Sequence, residues 1–222
     1  DSHRADGLIL LGYGDYTAYT ERLAELVEHD TRFVRWGSVE VEKIGSTVGT
    51  DNVAAGRLAG EHLLGLGRKR IAFIGQADEH YPEFADRYRG LGEAMGAAGL
   101  VADPALQVPA LSSEGDGRAA IRALLDRGAE FDAVFAASDL IAIGAMRALA
   151  EAGRKVPDDV AVVGFDDIPA ASLTNPPLTT VQQDLVAAGE LLVETLAEQI
   201  EDRVCANRSL PPRLIVRAST AG

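Results

Sequence analysis

The sequence predicts an α/β protein in which parallel sheets are covered by helices on both faces. Short aliphatic runs alternate with amphipathic stretches along all 222 residues, and several of the predicted helices end at a glycine. Strands of a buried parallel sheet are apolar throughout, whereas the helices between them carry an apolar period of about 3.6 residues. The regular alternation of the two patterns indicates repeated strand–helix–strand units.

The predicted strands are short apolar runs bounded by turn residues. They are GLILLG at 7–12, RFVRW at 32–36, RIAFIG at 70–75, QVPAL at 107–111, FDAVFAAS at 131–138, VAVVGF at 160–165 and RLIVRA at 213–218. Helices are predicted between them, with Asp51 or Asn52 as the cap of the second helix. They fall at about 19–27, 52–66, 83–98, 115–127, 139–152 and 184–202.

Composition restricts the class of function. The chain has 21 Lys and Arg residues against 34 Asp and Glu residues, a net charge of −13, which is the wrong sign for a phosphate-binding surface. Cys205 is the only cysteine, which excludes an intrachain disulfide or a thiolate metal site and is compatible with a reducing cytoplasm. No apolar run reaches the roughly 18–20 residues of a membrane span.

The segment from Val160 to Asp184 indicates a ligand-binding cleft. An apolar strand ends at Asp166, and ligands of open parallel sheets bind at the carboxyl ends of strands. The pair Pro176–Pro177 then imposes an extended path through TTVQQ before a helix begins. A strand that delivers a carboxylate to a cleft, followed by a stiff crossover, predicts a ligand-binding protein of two lobes.

The same segment resembles the sensor domain of the lactose-repressor (LacI/GalR) family. The resemblance is carried by VVGFDD at 162–167 and NPPLTTVQQD at 175–184. Other matches follow in family order: ADGLIL at 5–10, GRLAGEHLLGLGRKRIAFIG at 56–75, RYRGLGEAM at 87–95, AASDLIAIGAMRALAEAGRKVPDDVAVVGFDD at 136–167 and LIVRAST at 214–220.

This resemblance implies a periplasmic-binding-protein-like fold, with two doubly wound parallel-sheet lobes joined by a three-strand hinge. The first lobe would hold residues 1–75 and 184–210, and the second residues 76–183 and 211–222. The chain would cross between them near 75–78, 180–183 and 211–213. Family members begin with a helix-turn-helix and two further strand–helix units. We therefore expect an incomplete and less stable first lobe, with GLILLG at an unpaired edge.

Asp166 and Arg87 are the strongest candidate ligand residues. A carboxylate can accept hydrogen bonds from two neighbouring hydroxyls of a sugar, although Asp166 could instead cap the following turn. The family's R-x-x-G arginine, matched by Arg87, reaches the cleft, but a surface role is the alternative. Asp139 could cap helix 139–152 and also bind ligand, whereas Asp167 is expected to be structural.

The remaining candidates are weaker. Gln183 matches a family position that faces the cleft, with hinge packing as its alternative. Trp36, Tyr81 and Phe84 could supply aromatic walls for a sugar ring, or belong to the core. Tyr13 and Ser112 match cleft positions only loosely. Arg35 stands where sugar-responsive relatives often have aspartate, which favours a phosphorylated or acidic effector.

No enzyme, metal site or cofactor is predicted. Gly12–Tyr13–Gly14 has Thr17 where a dinucleotide motif needs its third glycine, so dinucleotide binding is not expected. His3, His29, His62 and His80 share no metal-ligand spacing. No nucleophile elbow or phosphate-binding lysine loop is present in the sequence.

The predicted function is therefore that of the small-molecule sensing domain of a cytoplasmic transcriptional regulator. A sugar-like effector would bind between the lobes, and operator DNA would be bound by a domain outside this sequence. Helix 139–152 is apolar nearly all round, which predicts cover by the sheet and by a partner subunit in a homodimer. The alternative is a monomeric periplasmic sugar-binding protein of a transport system.

Overall fold

The computed structural model describes residues 5–12, 15–39 and 44–221, which form two separate β-sheets with packed helices. The strands are β1 Leu8–Leu11, β2 Phe33–Trp36, β3 Ser46–Thr50, β4 Ile71–Ile74, β5 Gln107–Val108, β6 Ala133–Ala136, β7 Ala161–Asp166, β8 Thr179–Gln182, β9 Arg208–Leu210 and β10 Arg213–Ile215. The helices are α1 Thr20–Glu28, α2 Asn52–Gly65, α3 Pro82–Ala97, α4 Glu114–Asp126, α5 Asp139–Glu151 and α6 Leu185–Ile200. Short 3₁₀ helices occur at Tyr16–Tyr19, Pro104–Leu106 and Pro169–Leu173.

The smaller sheet has four parallel strands in the order β1-β2-β3-β9. Helix α6 packs against all four strands. Among the described residues β1 is an edge strand, and Ile9 and Leu11 on it are 39% and 68% exposed. An exposed apolar edge is the arrangement expected from the sequence of GLILLG.

The larger sheet has six strands in the order β10-β8-β7-β6-β4-β5, and only β10 is antiparallel to its neighbour. Phe165 of β7 contacts Arg87 of α3, whereas the preceding Gly164 lies against Asp139 of α5. Because successive strand residues point to opposite faces, the α2–α3 pair and the α4–α5 pair cover opposite faces of this sheet.

Strands β3, β8 and β9 are absent from the predicted strands, although an extended path was expected at β8. The predicted first crossing point is wrong. Residues 1–75 were expected to belong to one lobe, yet β4 lies in the larger sheet and α2 packs against β6, β8 and β10. The chain leaves the smaller sheet after Thr50, not near 75–78. The other two passages between the sheets follow Gln182 and Leu210, close to the predicted positions.

Helix α5 packs against α4 on the side away from the sheet, and the expected cover by a partner subunit stays a prediction. The two helices approach so closely that an added Cβ on Gly117 would lie 2.1 Å from the Ile141 carbonyl oxygen. Reciprocally, a Cβ on Gly144 would lie 2.0 Å from the Glu114 carbonyl oxygen. Glycine at both contact points therefore lets the backbones touch and buries Ile141 and Leu149 within the chain.

The two sheets differ greatly in the size of their cores. The larger sheet lies at the centre of an extensive buried cluster that contains Phe73, Phe135 and Phe165. Among the described residues, the separate cluster beside the smaller sheet has Val34, Val48 and Leu192 as its fully buried members. Since apolar burial is the main favourable term in folding, we expect the smaller sheet to open first.

We expect Gly117→Ala to lower the free energy of unfolding by about 1–3 kcal/mol, because the new methyl group must push α4 away from Ile141. Gly115→Ala on the same helix is the matched control, since its Cβ would meet only Ser113 Oγ at 3.8 Å. Denaturant unfolding of both variants measures the difference. Equal losses from the two substitutions would contradict the close-packing explanation.

Candidate functional site

A cavity of about 800 Å³ lies between the two sheets and is lined by residues from both sides. The smaller sheet contributes the ends of β1 and β2 together with part of α1, and the larger sheet contributes the start of α3. Among the sequence-predicted site residues, the cavity wall contains Trp36, Tyr81, Phe84, Arg87, Ser112 and Gln183. Tyr13 lies outside the described residues.

Arg87 is held in the wall by the packing of α2 against α3. A Cβ on Gly56 would lie 2.0 Å from the Arg87 carbonyl oxygen, so only glycine allows this approach. Pro82 occupies the first turn of α3, where its missing N–H removes no helical hydrogen bond. The helix therefore starts at the cavity and carries Arg87 one turn further along its inner face.

The guanidinium of Arg87 is buried and has several partners. Its Nε donates to Asn52 Oδ1 at 2.8 Å, and Nη1 donates to the Ala137 carbonyl at 2.5 Å. The Cζ atom lies 3.4 Å from the ring centroid of Phe165 and 5.2 Å from that of Phe84. These contacts fix the cation at the boundary between the core and the cavity.

Asp166 lies directly behind Gln183 and is not itself in the cavity wall. Its Oδ1 accepts a hydrogen bond from Gln183 Nε2 at 2.7 Å, and Gln183 Oε1 accepts one from Thr50 Oγ1 at 2.8 Å. Burial raises the pKa of Asp166, whereas Arg87 and the hydrogen bond from Gln183 lower it. The bridge from Asp166 to Thr50 joins the two sheets where the chain passes between them.

Asp166 also has an unusual backbone conformation, with φ at +116°. Side chains are rarely found in this region, and such residues cost about 1–3 kcal/mol unless the surroundings impose them. Asp166 Oδ2 accepts no hydrogen bond from any described residue. Among the described residues, Gln183 is therefore the side-chain donor to this carboxylate.

Asp139 differs from the prediction in both of its proposed roles. The N-cap of α5 is Ser138, whose Oγ accepts from the Ile141 N–H. Asp139 is fully buried, and its two oxygens accept from Thr180 Oγ1 at 2.6 Å and from the Ile168 N–H at 2.9 Å. It therefore ties α5 to the sheet instead of facing the cavity.

Burial raises the pKa of Asp139 to about 7, although the hydrogen bonds from Thr180 and Ile168 oppose the shift. The nearby Asp166 and Asp167 carboxylates raise this pKa further.

Asp167, expected to be structural, accepts hydrogen bonds from Arg217 Nη2 at 2.7 Å and from Gln182 Nε2 at 2.9 Å.

The aromatic candidates form two parts of the wall. Tyr81 and Phe84 stack at the start of α3, with ring centroids 6.0 Å apart and 28° between the ring planes. Trp36 ends β2, where it lines the cavity and also packs against the small cluster around Val34. Trp36 therefore belongs to the cavity wall and to the core at once.

Several wall residues were missed by the sequence reasoning. Thr50 and Asn52 belong to the wall, but the polar strand β3 that places them was not recognised. Ser138 was missed as well, although Ser112 Oγ donates to Ser138 Oγ at 2.8 Å beneath the wall. The sequence reasoning noted Asn52 only as a possible cap of the second helix, a position that Asp51 occupies.

Further contacts connect the two sides of the cavity. The Tyr16 N–H donates to the His80 carbonyl at 2.8 Å, and His80 Nδ1 lies 2.9 Å from Asp15 Oδ1. Hydrogen bonding to Asp15 raises the pKa of His80, and hydrogen bonds from Thr17 and His80 lower the pKa of Asp15 to about 2.

A second group of contacts lies at the start of α3. Glu83 Oε1 accepts from the Ser38 N–H at 2.9 Å, and Ser38 Oγ donates to Asp86 Oδ2 at 2.5 Å. The two sides are therefore in contact around the cavity.

The described residues contain no cluster of three or more His, Cys, Asp or Glu side chains that could hold a metal ion. Nor does any helix in the described part of the chain combine the length and apolar character needed to cross a bilayer.

We expect Asp139→Asn to remove a pH dependence of stability. The folded carboxyl titrates near 7, whereas the unfolded one titrates near 3.8, so the folded state binds the extra proton between these values. The free energy of unfolding of the wild type therefore falls as pH rises from 5 to 8, by about 2 kcal/mol. Urea unfolding across that range measures the effect, with the exposed Asp158→Asn as control. Parallel pH profiles for wild type and Asp139→Asn would show that the carboxyl is ionised throughout.

Comparisons with known proteins identify the family. The model of the periplasmic binding protein-like domain matches residues 61–220. The HTH-type transcriptional regulator CelR of Thermobifida fusca is 40% identical over 171 residues, which is 77% of this chain and 49% of the relative. The chain thus matches about half the length of that relative.

Solved structures agree with this comparison. A CelR–cellobiose complex has a TM-score of 0.88 at 35% sequence identity. The match covers 98% of this chain and 67% of the CelR chain. A LacI family regulator from Enterococcus faecium with bound ribose has a TM-score of 0.83 at 28% identity, covering 98% of this chain and 80% of its own. The chain therefore belongs to the periplasmic-binding-protein-like family, among the effector-binding domains of LacI-type transcriptional regulators.

Proposed function

We propose that this chain senses a sugar or sugar derivative for a transcriptional regulator, by binding it in the cavity between two lobes. The observation that carries the proposal is the side-chain bridge from Asp166 through Gln183 to Thr50. It connects Asp166 at the end of β7, in the larger sheet, with Thr50 at the end of β3, in the smaller sheet. A ligand that bonds to Asp166 or Gln183 would act directly on the connection between the lobes.

The cavity has the chemistry that a polyol requires. Aromatic side chains pack against the apolar face of a sugar ring, and Trp36, Tyr81 and Phe84 are available on two sides. The free oxygen of Asp166 can accept from a hydroxyl, and the Gln183 amide and Ser112 hydroxyl can exchange further hydrogen bonds. About 800 Å³ lies in the upper range of small-molecule sites and leaves room for more than one sugar ring.

Ligand binding would be coupled to DNA affinity through the relative orientation of the lobes. In this proposal one lobe comprises the residues before Asp51 with 184–210, and the other comprises 52–183 with 211–222. A ligand that contacts both sides stabilises one orientation, and it changes DNA affinity only to the extent that it prefers that orientation. The net charge of −13 disfavours DNA binding by this chain itself, so a separate helix-turn-helix domain would contact the operator in the cytoplasm.

A periplasmic sugar-binding protein of a transport system is the second candidate, because it would share this architecture. The regulators among the relatives favour sensing over transport and over enzymatic activity. The gene sequence upstream of Asp1 distinguishes the two candidates. A helix-turn-helix there supports the regulator, and a cleavable apolar leader would contradict it.

A homodimer is part of the proposal, although its surface differs from the original expectation. Because α4 covers one side of α5, we assign the contact to Leu140 of α5, which is 37% exposed, and Leu173 of the 3₁₀ helix Pro169–Leu173, which is 83% exposed. The hydrogen bond from Ile168 to Asp139 holds the 3₁₀ helix Pro169–Leu173 beside the start of α5. In this proposal a two-fold contact covers both leucines.

We expect Asp166→Ala to abolish the rise in melting temperature that a bound sugar causes in the wild type. Loss of a charge-assisted hydrogen bond weakens binding by about 10- to 100-fold. The ligand-free melting point should stay within a few degrees, because the carboxylate is not part of the apolar core. Differential scanning fluorimetry with a sugar panel measures this, with the exposed Asp126→Ala as control. A variant that still responds like wild type would exclude Asp166 as a ligand residue.

We expect Leu173→Glu to convert a dimer into a monomer. The two glutamates would repel each other at the two-fold axis, and the apolar contacts of Leu173 would be lost. Sedimentation equilibrium at micromolar concentration gives the mass directly. Val101→Glu is the control, since Val101 is also exposed but lies in the loop after α3. A monomeric wild type, or a dimeric Leu173→Glu variant, would rule out this surface.

A further inference from the structure

Arg35 is a buried cation in the cavity wall that neither the core nor the bridge between the lobes requires. It lies on β2, lines the cavity and is only 7% exposed. Its Nε donates to the Ile44 carbonyl at 2.9 Å, and its Nη2 donates to Thr47 Oγ1 at 2.7 Å. Both acceptors are neutral, and together they fix the plane of the guanidinium.

The charge of Arg35 has no close counterpart among the described residues. No described carboxylate lies within ion-pair distance, and Nη1 has no hydrogen-bond acceptor among them. Glu83 is the carboxylate whose field reaches Arg35, but its Oε1 already accepts from the Ser38 N–H. The Tyr16 ring, 5.3 Å from Cζ, covers one face of the cation.

This arrangement is unfavourable unless a ligand completes it. Burial lowers the pKa of Arg35 from its usual value, and Tyr16 and Glu83 oppose that shift. A guanidinium nevertheless stays protonated in proteins, so the positive charge remains in the wall. Buried charges are normally paired, because their desolvation is otherwise uncompensated.

We propose that Arg35 binds an anionic group of the effector, which makes the effector an acidic sugar carrying a carboxylate or a phosphate. This inference rests on the proposed function and narrows its ligand class. The planar fork of arginine matches both anions, and a guanidinium held in place by Ile44 and Thr47 loses little freedom on binding.

The charge distribution of the wall supports the assignment. Among the described residues of the wall, the cations Arg22, Arg35 and Arg87 outnumber the carboxylates Glu25 and Glu83 by one, in a chain with a net charge of −13. Arg87 is stabilised by Asn52, the Ala137 carbonyl and the nearby Asp166. Arg35 is the buried cation of the wall that lacks such compensation.

The test compares neutral and anionic members of matched sugar pairs by calorimetry and thermal shift. The probes are glucose with glucuronate and glucose 6-phosphate, and cellobiose with cellobionate. We expect an anionic member to bind about 10- to 100-fold more tightly than its neutral partner. Tighter binding of glucuronate or cellobionate indicates a carboxylate effector, and tighter binding of glucose 6-phosphate indicates a phosphate effector. Arg35→Met should remove the preference, so that the anionic and neutral members bind with similar affinity.

Two further variants complete the design. Arg35→Gln keeps side-chain donors for Ile44 and Thr47 without the charge, and it replaces Arg35→Met if circular dichroism shows misfolding. Arg127→Met removes an exposed arginine at the end of α4 and should retain the preference. Tighter binding of the neutral member by the wild type, or an anion preference that persists without Arg35, would overturn the assignment.

Inorganic phosphate alone separates this inference from the proposed function. At constant ionic strength, it should raise the melting temperature of the wild type more than that of Arg35→Met. If phosphate does so while no sugar binds, Arg35 is an anion site and the sugar proposal fails. If phosphate affects both proteins equally and no sugar distinguishes them, the anion site itself is refuted.

Discussion

The burial of the Arg87 guanidinium is the constraint on which the cavity depends. Asn52, the Ala137 carbonyl and the face of Phe165 stabilise its charge from fixed positions. Those three groups come from the start of α2, the end of β6 and the end of β7. The Arg87 side chain therefore connects one helix with two neighbouring strands of the larger sheet. The close approach of α2 and α3 brings the arginine there, which links helix packing to the shape of the wall.

The connection between the sheets is polar, whereas the larger core is apolar. Thr50, Gln183 and Asp166 form a hydrogen-bonded chain across the passage, and Asn52 extends it by donating from Nδ2 to the Thr50 carbonyl at 3.1 Å. Hydrogen bonds of this kind are directional and can exchange partners at little cost. Apolar packing, by contrast, resists any displacement. Polar groups therefore connect the two sheets at the passage, while apolar packing holds the six-stranded sheet together.

The sequence was sufficient to predict the alternation of strands and helices, and six of its candidate site residues lie in the cavity wall. Strand ends place Asp166 and Trp36 near the cavity because that follows from parallel sheets in general. Strands β3 and β9 were missed because STVGT and RSL are short and polar. The linear order of elements also does not reveal which sheet α2 joins. The burial of Asp139 could not be foreseen, since Ser138 and Asp139 are equally good caps and only the packing decides between them.

The unequal cores give the ligand an additional physical role. Among the described residues, the small cluster beside the smaller sheet is built on Val34, Val48 and Leu192, with the partly buried Trp36 packed against it and facing the cavity. A molecule stacked against that indole would extend the small cluster across the gap and shield Trp36 from water. Its binding energy would then be added to the stability of this half, because a ligand that binds only the ordered state stabilises that state. The effector of this protein would in this sense complete a core, as a removable part of the folded interior.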